Sequence, residues 1–295
     1  MLTIVQQLIN GLTLGCLYGL VAIGYTMVYG ILLLINFAHC DVFMMSMYFA
    51  FYFISVFHVP WYISLILAVI GTALLGMLIE RTAYRPLRKA PRTSVLISAV
   101  GASYLLQNLG IVLFGGVAKS FPSVPFLQEM VQIGELRIQA LAIFTVVIMV
   151  VLVSVLMYIV NKTKVGVAMR AVSRDFETSK LMGVNINRTI GMTFAIGSGL
   201  AAVGGFMWGL RYPQIIPTVG AVPGLKCFIA AVIGGIGSIK GAIVGGLILG
   251  VLEIMIVFLA PTMSGYRDVF AFILLIIVLV VKPSGLFGEE MGDKA

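Results

Sequence analysis

An all-α, polytopic integral membrane fold is what this chain predicts, and three observations carry it. First, 61% of its 295 residues are hydrophobic, only 10% are charged, and the mean hydropathy is +1.12; a soluble domain carries about 25% charged residues. Second, the apolar runs far exceed the roughly 10 residues of a membrane-crossing strand, so helices rather than a barrel span the bilayer. Third, the basic charge is concentrated. Of 19 Lys and Arg, five lie between Ile79 and Thr93 (Arg81, Arg85, Arg88, Lys89, Arg92) and six between Asn161 and Arg188 (Lys162, Lys164, Arg170, Arg174, Lys180, Arg188). Clusters of this kind beside span ends mark the cytoplasmic side. Positive-inside topology accounts for the net charge of +8 without nucleic acid as a partner.

The elements follow in order. A span needs about 20 apolar residues. Residues 4–34 form one stretch of about 45 Å at 1.5 Å per residue: the helix tilts, or it breaks, or two short helices share the stretch. NFAHCD follows, then apolar segments at 42–58 and, after Pro60, at 61–79. The first basic loop, about 80–93, turns the chain back through 94–114. Residues 115–138, with Pro122 and Pro125, read as an external loop, and 139–160 return to the second basic loop, 161–188. Residues 189–210 go out, and the Pro- and Gly-rich 212–224 stay irregular. Apolar pieces at 225–236 and 241–260 are divided by GIGSIK, and 266–282 end at Lys282, which places that end in the cytoplasm. The total is about 8–10 transmembrane helices, some short or broken, in a single domain over 1–295. No charge flanks residues 1–30, so the side on which the first helix begins stays open. With no basic n-region, MLTIVQQLINGLTLG is not expected to be a cleaved signal peptide.

Thirty-three glycines, often spaced by four, predict close helix packing. Gly11, Gly15 and Gly19 form one ladder; Gly241 with Gly245, Gly246 with Gly250, and Gly205 with Gly209 form others. Ladders in both halves hint at two repeats meeting at a central passage.

Enzymatic motifs are lacking. GGIGSIK (234–240) does not have the spacing of a phosphate loop and sits between apolar segments. His39 and His58 are far apart, and Cys16, Cys40 and Cys227 match no ligand spacing, so neither a metal site nor a disulfide framework is expected. Glu253, within LILGVLEIMIV, is the clearest mid-span acid and has no evident basic partner in the sequence. A lone acid is thin for a proton relay. It reads either as a residue satisfied within a helix interface or as one lining a pathway.

The second basic loop predicts a helix over Val165–Met182, with Val165, Ala168, Met169 and Val172 on one face and Gly183 as the stop. Such a helix rests on lipid headgroups or fits a groove on a partner. The loop resembles the ATPase-coupling loop of ABC importer permeases, and looks most like that of the branched-chain amino acid (leucine/isoleucine/valine) uptake permeases. Gly166, Arg170, Ala171, Asp175 and Gly183 occupy the places of that pattern. Residues 10–41, 79–88 and 230–253 are similar to other signatures of the family, so the resemblance covers nearly the whole chain. It fits the shorter of the two paired permease types. Cys40 stands where the family usually has Gly, narrowing a tight turn; Val167 replaces a frequent Arg and Ser179 a frequent Ala.

The resemblance implies a multi-pass permease of a bacterial or archaeal inner membrane. It implies a second homologous permease, two cytoplasmic ABC ATPases that use ATP and Mg, and a periplasmic binding protein that delivers branched-chain or other hydrophobic amino acids. Urea or short amides are the alternative cargo, and an ion-coupled carrier working alone is the alternative mechanism. This chain itself is expected to bind no cofactor and to catalyse nothing. Candidates for its pathway or gate are Asn36, His39 and Asp41 in NFAHCD, Gly234, Gly235, Gly237 and Ser238 in GGIGS, and Glu253; loops at the membrane surface are the other reading of the two irregular segments.

Overall fold

The computed structural model describes residues 2–88 and 90–288; Lys89 of the first basic loop lies outside them. Twelve α-helices are found among the described residues. The first, α1 (Leu2–Leu32), is one unbroken helix, so the long apolar stretch is not divided between two helices. From Gly11 to Val28 it is buried on nearly every side, which is why its hydrophobicity shows no facial bias. It stops where Leu33 takes φ 54°, a left-handed conformation typical of helix ends. After an irregular segment comes α2 (His39–Ser55), followed by α3 (Trp61–Ile79) behind Pro60. A π-helical turn at Glu80–Tyr84 and a 3₁₀ turn at Arg85–Leu87 complete the first basic loop. Helix α4 (Arg92–Phe114) then returns.

The segment 115–139 is built as a cap rather than a plain loop. It holds β1 (Lys119–Ser120), the short α5 (Pro125–Gln128) and a hairpin of β2 (Met130–Ile133) and β3 (Leu136–Gln139). Helix α6 (Ala140–Lys162) leads to α7 (Lys164–Arg174) and α8 (Phe176–Leu181), and α9 (Ile186–Arg211) to β4 (Gln214–Ile215). Strand β4 pairs antiparallel with β1 and ties the irregular 212–220 segment to the cap. Then come α10 (Ala221–Gly234), which begins four residues before the apolar run at 225, α11 (Ile239–Leu259), a 3₁₀ turn (Pro261–Tyr266) and α12 (Arg267–Val281). Pro223 is accommodated in α10 because it lies in the first turn, where its missing N–H costs no helical bond.

Seven helical segments among the described residues are long and apolar enough to cross a membrane. The apolar α10, at 14 residues, is shorter than these, so the long spans number one fewer than the lower end of the expected 8–10. The chain is a multi-pass membrane protein.

The halves are arranged with a shared logic. A long helix, a break, a short helix and two further helices occur as α1–α4 and again as α9–α12. The packing partners correspond: α1 lies on α11 as α3 lies on α9, α1 on α10 as α2 on α9, and α2 on α4 as α10 on α12. With the basic loops inside, α9 runs outward. Its equivalent α1 runs inward, because Gln6 near the start of α1 donates to the Arg137 carbonyl of the external hairpin at 2.7 Å. The repeat is therefore inverted, an arrangement seen in many transporters. The same contact fixes the sidedness that the uncharged first 30 residues left open.

The glycine ladders make this packing possible. α1 and α11 are antiparallel, and a Cβ on Gly15 would lie 2.6 Å from the Leu247 Cα; one on Gly246 would lie 2.6 Å from the Gly19 nitrogen. The first ladder thus faces the third. Gly205 closes instead on α2, where a Cβ would sit 2.8 Å from the Phe43 carbonyl, and Gly209 on the Phe121 ring of the cap. At the crossing of α1 and α9, a Cβ on Gly24 would meet the Gly197 carbonyl at 2.9 Å.

Candidate functional site

The cytoplasmic unit is two helices, not one. The sequence predicts a helix from Val165 to Met182, but the chain breaks at Asp175, which is extended (φ −155°, ψ 118°). The Asp175 carboxylate accepts from the backbone N–H of Glu177 at 2.8 Å and of Thr178 at 3.2 Å, so it caps α8. Asp is among the strongest N-cap residues, and this local bonding outcompetes continuation of α7. Thr163 caps α7 through the Gly166 N–H at 3.3 Å.

Each residue of the pattern has a structural place. Gly166 lies under the end of α6, and any side chain there would run into the Ile159 and Val160 carbonyls. Arg170 reaches the same turn, donating to the Val160 carbonyl. Ala171 is half-buried, and its carbonyl accepts the Asp175 N–H that ends α7. Gly183 takes φ +82°, and the N–H of Val184 bonds back to the Ser179 carbonyl. Met169 and Val172 are buried, as the apolar stripe predicts, and α7 packs on α1, α6 and α9. The outer side is apolar as well: Val167 is 55% exposed, Leu181 86% and Met182 80%.

Asn36, in the break between α1 and α2, and His39 and Asp41, in the first turn of α2, are all buried. The Tyr84 hydroxyl donates to Asn36 Oδ1 at 2.8 Å and ties the break to the π-helical turn. His39 packs edge-on to Tyr25 (centroids 4.6 Å apart) with Nε2 at 3.2 Å from the Val21 carbonyl. Gln107 donates to Asp41 Oδ1 at 3.0 Å, and an acid in the first turn of α2 suits the helix dipole. Cys40 sits in that first helical turn rather than in a tight turn. Its thiol fills space left by Gly224 and lies against the Tyr25 hydroxyl. The N-terminal ends of the short helices α2 and α10 thereby meet: a Cβ on Gly220 would stand 2.9 Å from the Cys40 carbonyl carbon.

GGIGS forms the turn between α10 and α11. Gly234 packs on Gly241, and Gly235 (φ +105°) on the backbone of Phe287 and Gly288. Gly237 (φ +102°) has open space on its Cβ side, and Ser238 caps α11 by accepting from the Gly241 N–H at 3.1 Å. Gly237 is also close to Gly30, whose Cβ would lie 3.7 Å from its Cα, so this turn stands beside the cytoplasmic end of α1.

Glu253 is separate from both segments, and it does have basic partners. Lys226 Nζ lies 2.8 Å from Glu253 Oε1 and the Tyr18 hydroxyl donates to Oε2 at 2.8 Å. Lys226 also meets Asp268 at 2.6 Å, and Arg267 approaches Glu253 at 3.6 Å. Four helices contribute to the group. Sequence reasoning missed Lys226 because it sits inside an apolar run 27 residues away; the signal was its isolation, since a lone Lys in such a run needs an acid.

The family described as "Branched-chain amino acid transport system / permease component" matches residues 7–279. The chain belongs to this permease family. It is 41% identical over 303 residues to the Pseudomonas aeruginosa high-affinity branched-chain amino acid transport system permease protein BraD, covering 98% of this chain and 97% of that one. It is 39% identical to the Escherichia coli permease protein LivH, with the same coverages. A probable branched-chain amino acid transport permease protein LivH of Methanocaldococcus jannaschii is 27% identical over 92% of this permease and 88% of its own length.

Proposed function

We propose that this permease is the non-catalytic membrane subunit of an ATP-driven importer for branched-chain or other hydrophobic amino acids. A second homologous permease completes the passage, a periplasmic binding protein delivers the solute, and two cytoplasmic ATPases bind and hydrolyse ATP with Mg. The inner membrane is its proposed site of action. The observation that carries this reading is the α7–α8 unit, anchored to the bundle by Met169, Val172 and Arg170 while Val167, Leu181 and Met182 are bare. Exposed apolar side chains on an ordered, basic surface suit a groove on a partner protein.

In this mechanism ATPase closure moves α7–α8 as one body. Gly166 and Arg170 hold α7 to the end of α6, and α7 also bears on α1 and α9, the two central helices. Close-packed helices shift between discrete arrangements rather than deforming smoothly. The moving interfaces include the α2–α10 junction at Cys40 and the α10–α11 turn, so Asn36, His39, Asp41 and the residues Gly234, Gly235, Gly237 and Ser238 remain the proposed gate, with Glu253 beside the passage.

The test is uptake and ATPase activity in proteoliposomes containing this permease, its neighbouring permease and the ATPases, with Arg170→Glu and Gly166→Trp in parallel. Binding-protein-stimulated ATP hydrolysis and leucine uptake, both lost in the variants, are expected. ATP-driven uptake of urea instead of leucine would change the cargo only. Uptake without ATP that an ionophore collapses would overturn the importer.

A further inference from the structure

A cleft of about 430 Å³ opens at the cytoplasmic ends of α3 and α9. Met77, Met192 and Gly191 make its inner wall, and Arg81, Arg85 and Arg188 ring its mouth. Its one acid, Glu80, is already matched: Arg88 pairs with it and also donates to Asn187 Oδ1 at 2.8 Å. No ion pair is found for Arg81, Arg85 or Arg188 among the described residues. Three unmatched positive charges therefore converge on one small space.

The π-helical turn creates this geometry. The Arg85 N–H bonds to the Glu80 carbonyl, five residues back, and the wide turn sends Glu80 inward while Arg81 and Arg85 stay at the mouth. Such π turns cost regular bonding and recur at functional sites. On the opposite wall, Gly191 leaves room that a side chain would occupy; its Cβ would lie 3.8 Å from Glu80 Oε2. Leu74 and Leu78, on the same helix as Met77, are exposed beside the cleft's lining residues in sequence.

We propose that this cleft is a phosphate site for an anionic phospholipid of the cytoplasmic leaflet. The guanidinium groups match phosphate oxygens in the bidentate manner that arginine favours. The methionines and the exposed leucines receive the start of an acyl chain. A basic pocket between helices on the cytoplasmic side is the arrangement that binds such headgroups. The assignment is independent of the cargo and of the ATPase reading, because it uses none of the α7–α8 contacts.

The experiment measures binding of a fluorescent phosphatidylglycerol to the full-length permease, co-purified with its partner subunits in phosphatidylcholine nanodiscs. Wild type is compared with the combined Arg81→Ala, Arg85→Ala and Arg188→Ala variant. Affinity is expected to fall roughly fivefold per arginine, on the order of a hundredfold for all three. The corresponding triple Lys variant keeps charge and loses the forked geometry, so it should fall between. Unchanged affinity in the alanine variant, or equal binding of a fluorescent phosphatidylcholine, overturns the site. Displacement by millimolar inorganic phosphate would keep the phosphate chemistry but overturn the lipid as occupant. If the alanine variant does not fold, Met192→Trp fills the cleft and leaves every arginine in place: lost binding supports the site, and unaltered binding overturns it.

Discussion

Lys226 Nζ stands 2.8 Å from Glu253 Oε1, both residues buried, and joins α10 to α11 by charge. The Tyr18 hydroxyl holds the second carboxylate oxygen, so Glu253 is satisfied from two helices. Removing one partner of a buried pair strands the other charge, which costs about 3–5 kcal/mol. Lys226→Met is therefore expected to lower the thermal unfolding midpoint of the purified permease sharply. Adding Glu253→Leu should recover most of the loss. A double variant no more stable than the single one would refute the pairing as the cause.

The facing glycines of α1 and α11 predict a graded series. At Gly15 a Cβ would meet backbone, 2.6 Å from the Leu247 Cα and 2.9 Å from the Gly246 carbonyl. Backbone cannot yield as a side chain does, so Gly15→Ala should destabilise by about 1–3 kcal/mol or separate the two helices. Gly19→Ala would crowd the flexible Met149 Cε at 2.8 Å while the Ile243 backbone stays at an ordinary contact distance of 3.7 Å, so it should cost less. Gly101→Ala meets nothing within 4 Å and should be neutral or slightly stabilising. Melting curves of the three variants check the order.

Capping by Asp175 separates two substitutions of similar size. Asp175→Ala removes the acceptor for Glu177 and Thr178 and should cost α8 about 1 kcal/mol, whereas Asp175→Asn caps nearly as well. Amide hydrogen exchange across 176–181 should speed up in the first variant and change little in the second. ATP-driven uptake is expected to follow the same order, and uptake lost equally in both would mean that the charge, not the cap, is what matters.

Gly183 tests backbone conformation alone. Its φ is +82° and no atom lies near a would-be Cβ, so the cost of Gly183→Ala is conformational, about 1–2 kcal/mol. The effect should be confined to α8 and the turn after it, again visible by hydrogen exchange, with the global melting temperature nearly unchanged.

Much of the fold is legible in the chain because membrane insertion is a local property. Hydropathy places α3, α4, α6, α9, α11 and α12 within a few residues, and the lysines and arginines at 81–92 and 162–188 fix which ends face the cytoplasm. The stripe of Met169 and Val172 identifies the buried face of α7. Three features were not legible. The break at Asp175 depends on a side-chain cap competing with an intact helical pattern, and the two look alike until the chain has chosen. The hairpin at 130–139 is masked by a short, weakly patterned sequence. The partners of Glu253 come from α1, α10 and α12, and nothing local links position 253 to 18, 226 or 267.

Composition and charge placement alone establish a helical, multi-pass protein with two basic cytoplasmic loops, since the free energy of placing each segment in lipid depends mainly on that segment. Tertiary structure alone decides that α1 is one unbroken inward-running helix, that the halves form an inverted repeat, that the ladder of Gly11, Gly15 and Gly19 meets that of Gly246 and Gly250, and that the short helices α2 and α10 join at Cys40. Those outcomes rest on contacts between residues far apart in sequence. In lipid, where apolar faces are equally content against a neighbour or a hydrocarbon tail, close backbone approach and buried polar pairing choose the partners.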